Sequence, residues 1–236
     1  WWSRQVEADG AVVVVVGDVS AEAARRAVEK ALAGLPRRGA SAAVPAPPRP
    51  LPARLDVVEH RDRKQSALVY AYPGIPRSHP DWPRLRLVRY VTSGLAGTFF
   101  AELRSRRSLA YTVFATDAPN AHAGAFLAYI ATDAGKEAEA RDALLAEIRR
   151  LDTDGFTAAD LALAQRYFAG STQIALQTNG ARAGDLAQNW FSGLPLDFTL
   201  QSVEAAGQVT VDELREVAGR YLDGEQFVLA VVRGRD

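Results

Sequence analysis

The chain has 236 residues, with 28 basic and 28 acidic side chains and a net charge of zero. That balance makes no electrostatic case for nucleic acid or an anionic membrane surface as a partner. It contains no cysteine, which excludes disulfides and thiolate metal sites and leaves the compartment open.

In chain order, the first pattern is the β-branched run Ala11–Val16, closed by Gly17-Asp18. It predicts a buried strand and is far too short to span a bilayer. Ser20 is an N-cap for a helix over Ala21–Ala33, which Gly34 and Pro36 terminate. Residues 36–52 are proline-rich and read as an extended internal linker. Leu55–Glu59 and Ala67–Tyr72 predict strands, and Trp82–Val91 predicts a helix broken by Gly94 and Gly97. A second helix is expected over Thr98–Ser108. Tyr111–Ala115 and Ala125–Ala131 then predict a hairpin across Ala118-Pro119-Asn120.

Lys136–Leu151 is amphipathic, with Ala140, Leu144, Ile148 and Leu151 on one stripe. Thr157 caps a further helix, with Asp160 at the capping-box position. Helices near 181–191 and 210–221 follow, and Phe227–Val232 is a closing strand. Strands alternating with helix pairs predict an α+β two-layer sandwich, its sheet largely antiparallel and its helices packed on one face. The expected organisation is one domain over residues 1–236. No initiator methionine precedes Trp1-Trp2, so the sequence reads as a segment of something longer, with the tandem tryptophans as a stub of an interface.

The segment Gly97-Thr98-Phe99-Phe100-Ala101-Glu102-Leu103-Arg104-Ser105-Arg106-Arg107-Ser108-Leu109-Ala110-Tyr111-Thr112-Val113 resembles a signature of the pitrilysin/insulinase/processing-peptidase family of zinc metallopeptidases. The signature belongs to that family's C-terminal, non-zinc-binding half. The resemblance extends over nearly the whole chain. It includes Val12–Asp18 with Ser20, Gln65 with Tyr72-Pro73-Gly74, and His79-Pro80-Asp81 through Val91. Later it includes Gly124–Thr132, Asp154-Gly155-Phe156-Thr157 with Leu161, and Val209–Leu214 with Tyr221-Leu222. Leu95 and Ala96 dilute the family's glycine-rich turn.

The resemblance implies a processing-peptidase-like metallohydrolase half that forms part of a substrate chamber. Arg104 and Tyr111 would reach the carbonyl of an extended peptide substrate, in the assembled enzyme only. Zinc would be held by an H-x-x-E-H motif in a partner half or subunit, and an exported bacterial location is the family's habit. The alternative is a catalytically inactive structural or interaction subunit that keeps the fold.

This chain has three histidines, and His60, His79 and His122 form no such motif. Asp56-Val57-Val58-Glu59-His60 imitates it with Asp in the first position, but the run is β-branched. Four residues along a strand span about 13 Å, too far for Asp56 and His60 to close on one ion. No metal or cofactor is therefore expected in this chain. From residue chemistry alone, Arg104 supplies fixed, always-charged donors and Tyr111 a hydroxyl that can donate to an oxyanion. Arg106 and Arg107 read as a solvated face.

Overall fold

Alternation along each strand decides which side chains reach the core. The computed structural model describes residues 10–36, 51, 54–120, 122–222 and 225–234. In chain order the elements are α1 (Ala21–Leu32), β1 (Arg54–His60), β2 (Gln65–Gly74), α2 (Trp82–Thr92), a π-helix (Phe100–Arg106), β3 (Thr112–Pro119) and β4 (Gly124–Asp133). Then come α3 (Glu137–Arg149), α4 (Ala158–Ala175), α5 (Asn179–Phe191), α6 (Phe198–Gly207), α7 (Val211–Tyr221) and β5 (Phe227–Arg233). The described residues fall into two compact units. One draws on Trp1–Ala46 and Thr172–Thr199, the other on Pro47–Ser171 and Leu200–Asp236.

The second unit holds a five-stranded sheet in the order β1-β5-β2-β4-β3. β1 pairs parallel with β5, and the other pairs are antiparallel. Helices α2, α3 and α7 pack on its strands. On β2, Ser66, Leu68, Tyr70 and Tyr72 are buried, whereas Ala67, Val69 and Ala71 are only partly so. The same period of two runs through β4, where Phe126, Ala128, Ile130 and Thr132 are the buried set. This is the two-layer α+β arrangement with helices on one face.

Polar anchors fix how the helices sit. The buried Ser66 hydroxyl donates to Glu137 Oε2 at 2.7 Å, and the Gly234 amide donates to Ser66 Oγ at 3.0 Å. Arg233 adds a bidentate contact to Glu137 Oε1, at 2.6 and 2.9 Å. The Arg233 guanidinium first, then the Ser66 hydroxyl, hold the Glu137 carboxyl below the usual carboxylate range. One turn along α3, the Arg141 carbonyl accepts from the Tyr70 hydroxyl at 3.0 Å, and burial pushes Tyr70 up to about 12. α7 opens on a capping box between Thr210 and Glu213. Arg84 of α2 pairs with the same Glu213 at 2.8 Å, while Asp81 accepts from Arg220 at 2.7 Å and the Tyr221 hydroxyl at 2.9 Å.

Four expectations change. Ala11–Val16 is not a strand: it has no regular secondary structure and none of its residues is buried, with Val13 49% and Val15 50% exposed. β-branched residues favour extended backbone, but no strand ladder forms beside this run among the described residues. The predicted helix over 98–108 is a π-helix, because apolar spacing does not separate i+4 from i+5 hydrogen bonding. The hairpin strands run through Pro119, and the turn closes between Asn120 and Ala123. Helix α6 has no counterpart in the prediction. It buries Ser202 beside Ala206, and its C-terminal carbonyls are satisfied from afar by the Gln165 amide. Trp1, Trp2 and nearly all of the proline-rich 36–52 lie outside the described residues.

Candidate functional site

The stretch from Leu103 to Leu109 is held at both ends by buried leucines, and the Leu109 amide returns to the Leu103 carbonyl at 2.9 Å. Between them the π-helix ends in Ser108 at φ 52°, a left-handed conformation that costs a non-glycine residue about 1–2 kcal/mol. Lys136 donates to the Ser108 carbonyl at 3.2 Å. The reversal turns the chain straight into Tyr111 and β3. π-helical turns and strained residues both concentrate at functional positions.

Arg104 and Tyr111 come together here. Arg104 Nη1 donates to the Tyr111 carbonyl at 2.7 Å. Its guanidinium lies 4.8 Å from the Tyr111 ring centroid and 4.8 Å from that of Phe100. Two aromatic faces and a backbone acceptor thus hold one cation, an arrangement worth about 0.5–1 kcal/mol for each exposed stack. Tyr111 is 74% exposed, and its hydroxyl bonds to none of the described residues. The geometry fixes the ring and presents a phenolic donor.

Phe100 escaped the sequence reading, although its position four residues before Arg104 places it on the same helical face. Arg106 and Arg107 both pair with Glu102, at 2.6 and 3.1 Å, so the basic run is partly neutralised at the surface.

Ser93 is the second residue that sequence reasoning missed. Its hydroxyl donates to the Ala115 carbonyl at 2.6 Å and accepts from the Ala115 amide at 2.5 Å. These groups belong to the outer edge of β3, so Ser93 takes the place of a neighbouring strand there. Arg104 does the same at the Tyr111 carbonyl. Together they blunt an edge that would otherwise template further pairing. The turn that positions Ser93 requires glycine twice. Gly94 has φ +86°, and a Cβ on Gly97 would sit 2.5 Å from the Ser93 carbonyl oxygen. Beyond this turn, a cavity of about 650 Å³ opens between the end of α2, the edge of β3 and α4. Its walls include Tyr90, Leu95, Phe114, Leu163 and Tyr167, with Arg89 on one side.

Among the described residues no group of three or more His, Asp or Glu side chains is placed to hold a metal ion. His60 is exposed on β1, and Asp56 faces Arg54 in a bidentate contact of 2.6 and 2.7 Å. His79 Nδ1 accepts from the Asp81 amide at 3.1 Å at the start of α2. His122 sits in the β3–β4 turn. The residues present do not fit a zinc site.

The sequence profile described as Peptidase M16 inactive domain matches residues 1–168. An uncharacterized zinc protease of Mycobacterium tuberculosis is 28% identical over 184 residues, covering 76% of this chain and 41% of the relative. One from Mycobacterium leprae is 25% identical over 230 residues, covering 93% of this chain and 50% of the relative. The chain thus spans about half the length of the curated relatives it matches. Among solved structures, a peptidase M16 inactive domain from Pseudomonas fluorescens superposes with a TM-score of 0.84 at 23% identity, covering 93% of this chain and 53% of that one. A protease from Helicobacter pylori superposes at 0.79 with 19% identity, covering 92% and 54%. These two likenesses show the fold.

Proposed function

The chain belongs to the family of peptidase M16 inactive domains, and from that premise we propose that it is the non-zinc-binding half of a zinc metallopeptidase. It forms one wall of a chamber for an extended peptide and contributes Arg104 and Tyr111 to that peptide's carbonyl. The observation that carries this reading is the guanidinium clamped between Phe100 and Tyr111, which leaves an exposed tyrosine hydroxyl. A preorganised donor needs no rearrangement when charge develops on a carbonyl oxygen, and this is how such groups lower a barrier. Arg104 orients the ring and adds positive potential; Tyr111 donates the hydrogen bond. The metal belongs to an H-x-x-E-H-bearing partner half, in the same polypeptide or another, where zinc supplies a Lewis acid and an activated water.

The test is kinetic and thermal on the same variants. In the assembled enzyme, Tyr111→Phe and Arg104→Ala should each lower kcat/KM by about ten- to a thousandfold, the scale of losing one transition-state donor. The melting temperature of Tyr111→Phe should stay unchanged, because the deleted hydroxyl has no partner among the described residues. Normal kcat/KM in both variants would make the pair structural and favour a subunit that keeps the fold without catalysis.

A further inference from the structure

Two arginines at the end of α2 share one buried carboxylate, and one of them lines the cavity there. Asp117 of β3, whose side chain is 4% exposed, pairs with both. Arg86 Nη1 donates to its two oxygens at 3.0 and 3.2 Å. The Arg86 guanidinium also lies over the Trp82 and Tyr90 rings, at 5.3 and 5.7 Å. Arg89 is held less closely. Its Nη1 is 3.6 Å from Asp117 Oδ1, beyond good hydrogen-bond distance, and its Nε is buried without an acceptor among the described residues. A guanidinium carries five N–H donors, so Arg89 has donors to spare. A cation partly withdrawn from water and incompletely paired favours an anion beside it.

The rest of the cavity is apolar. At about 650 Å³ it has the size of a small-ligand site. Tyr90, Leu95, Leu163, Ala164 and Tyr167 form its walls, with the Tyr90 and Tyr167 rings in edge contact at 5.2 Å. Two further polar side chains of the wall are already committed. The Ser93 hydroxyl is bonded to the Ala115 amide and carbonyl. Asp160 accepts from the Thr157 amide at 3.0 Å and the Thr157 hydroxyl at 2.5 Å. It also sits at the start of α4, where the helix dipole offsets its charge. Aromatic and aliphatic walls with one incompletely paired guanidinium select a carboxylate carried on an apolar body.

We infer that this cavity binds the C-terminal residue of a peptide, with the α-carboxylate on Arg89 and an apolar side chain among Tyr90, Leu95, Leu163 and Tyr167. The choice of a peptide rests on the functional reading above. Ala115, in the cavity wall, is four residues along β3 from Tyr111, about 13 Å of extended chain. A peptide whose carbonyl lies at the Tyr111 hydroxyl therefore reaches the cavity with about four further residues.

The test needs only the chain itself. NMR titration compares acetyl-Ala-Ala-Ala-Phe with its C-terminal amide and with 3-phenylpropanoate, a free acid of the same side-chain chemistry. The peptide acid should bind about tenfold or more tightly than the amide, the scale of one charge-assisted contact. It should also bind more tightly than 3-phenylpropanoate. Arg89→Gln should abolish the preference for acid over amide. Leu163→Glu, at a position 43% exposed, puts a carboxylate opposite Arg89 and should abolish binding of the acid without unfolding the helix.

Equal binding of acid and amide would overturn carboxylate recognition. Binding of 3-phenylpropanoate as tight as that of the peptide would assign the cavity to free acids and overturn the peptide. Binding that survives both substitutions would place the ligand elsewhere and overturn the site. None of these results touches the functional reading, which stands or falls on the kinetics of the Arg104 and Tyr111 variants. Normal kinetics there would remove the reason for choosing a peptide, while the acid-against-amide comparison would still decide whether Arg89 holds a carboxylate.

Discussion

The helix-covered face of the sheet and its open face are made from the same strands but from different materials. Leu68, Tyr70, Tyr72, Phe126, Ile130 and Phe227 fill the covered side, and each is at most 2% exposed. Polar anchors pin the helices that cover it: Ser66 and Arg233 on Glu137, and the Tyr70 hydroxyl on the Arg141 carbonyl. Among the described residues the open side has no such anchors to a helix, and its side chains are mostly small. A large side chain taken fully out of water contributes about 1.5–3 kcal/mol, so the covered face carries the stability of this unit. The open face contributes less, because its side chains keep part of their surface in water.

Adjacent residues of β4 give the sharpest way to break that contrast. Phe126 points to the covered side at 0% exposure, and Leu127 points to the open side. Phe126→Ala should lower unfolding stability by about 3–5 kcal/mol, from lost transfer energy plus the cavity left behind. Leu127→Ala should cost less, roughly 1–2 kcal/mol, because Leu127 is half-buried and keeps part of its surface in water in the folded chain. Urea midpoints at constant m-value measure both. Equal losses would show that the open face is already packed.

Glu137 tests whether the anchors or only the apolar contacts hold α3. Glu137→Ala leaves the buried Ser66 hydroxyl without its acceptor, a loss of about 1–3 kcal/mol. Arg233 is 42% exposed, so water recovers part of the ion pair and the pair is not counted as a buried one. The pH dependence has a definite sign. The folded carboxyl sits below its ordinary value of 4.5, so its contribution is fully present above pH 4.5 and lost as pH falls through the folded value. The wild-type chain should therefore lose stability on acidification across that window, and Glu137→Gln should lose less. Identical acid profiles for the two proteins would show that Glu137 contributes nothing to the acid transition.

These contrasts also explain what could be read in the sequence. Capping chemistry is local, so Thr157 with Asp160 marked the start of α4 correctly, with reciprocal bonds of 3.0 and 3.1 Å. The β2 and β4 strands were equally plain, being apolar runs rich in aromatic residues, one ending at Pro73-Gly74 and the other starting at Gly124. Their continuous apolar character, however, is the pattern of strands buried on both faces. Among the described residues helices fill one face, and a strand's composition alone does not reveal that asymmetry.

The Arg104–Tyr111 pairing was expected from family resemblance, and its internal geometry was not legible. The π-helix, the left-handed Ser108 and the Phe100 stack depend on how one turn is widened, which apolar spacing does not encode. Ser93 as the cap on β3 is a contact over 22 residues of sequence, and a lone serine before a glycine gives no sign of it. α6 went unseen because it buries a serine where a periodicity rule expects an apolar residue.

The smallest expected effect is the most telling about the two faces. Ala128 and Ala230 are both alanines in sheet strands, one 0% exposed beneath the helices and one exposed on the opposite face. Serine adds a single hydroxyl to either. At Ala128 that hydroxyl enters an apolar core, which costs about 1–3 kcal/mol when no partner is supplied. At Ala230 it stays hydrated, so the melting temperature of the chain alone should be unchanged, within the ±0.5 kcal/mol typical of surface positions. Thermal melts of the two serine variants measure the difference, and equal losses would show that Ala230 is packed as tightly as Ala128.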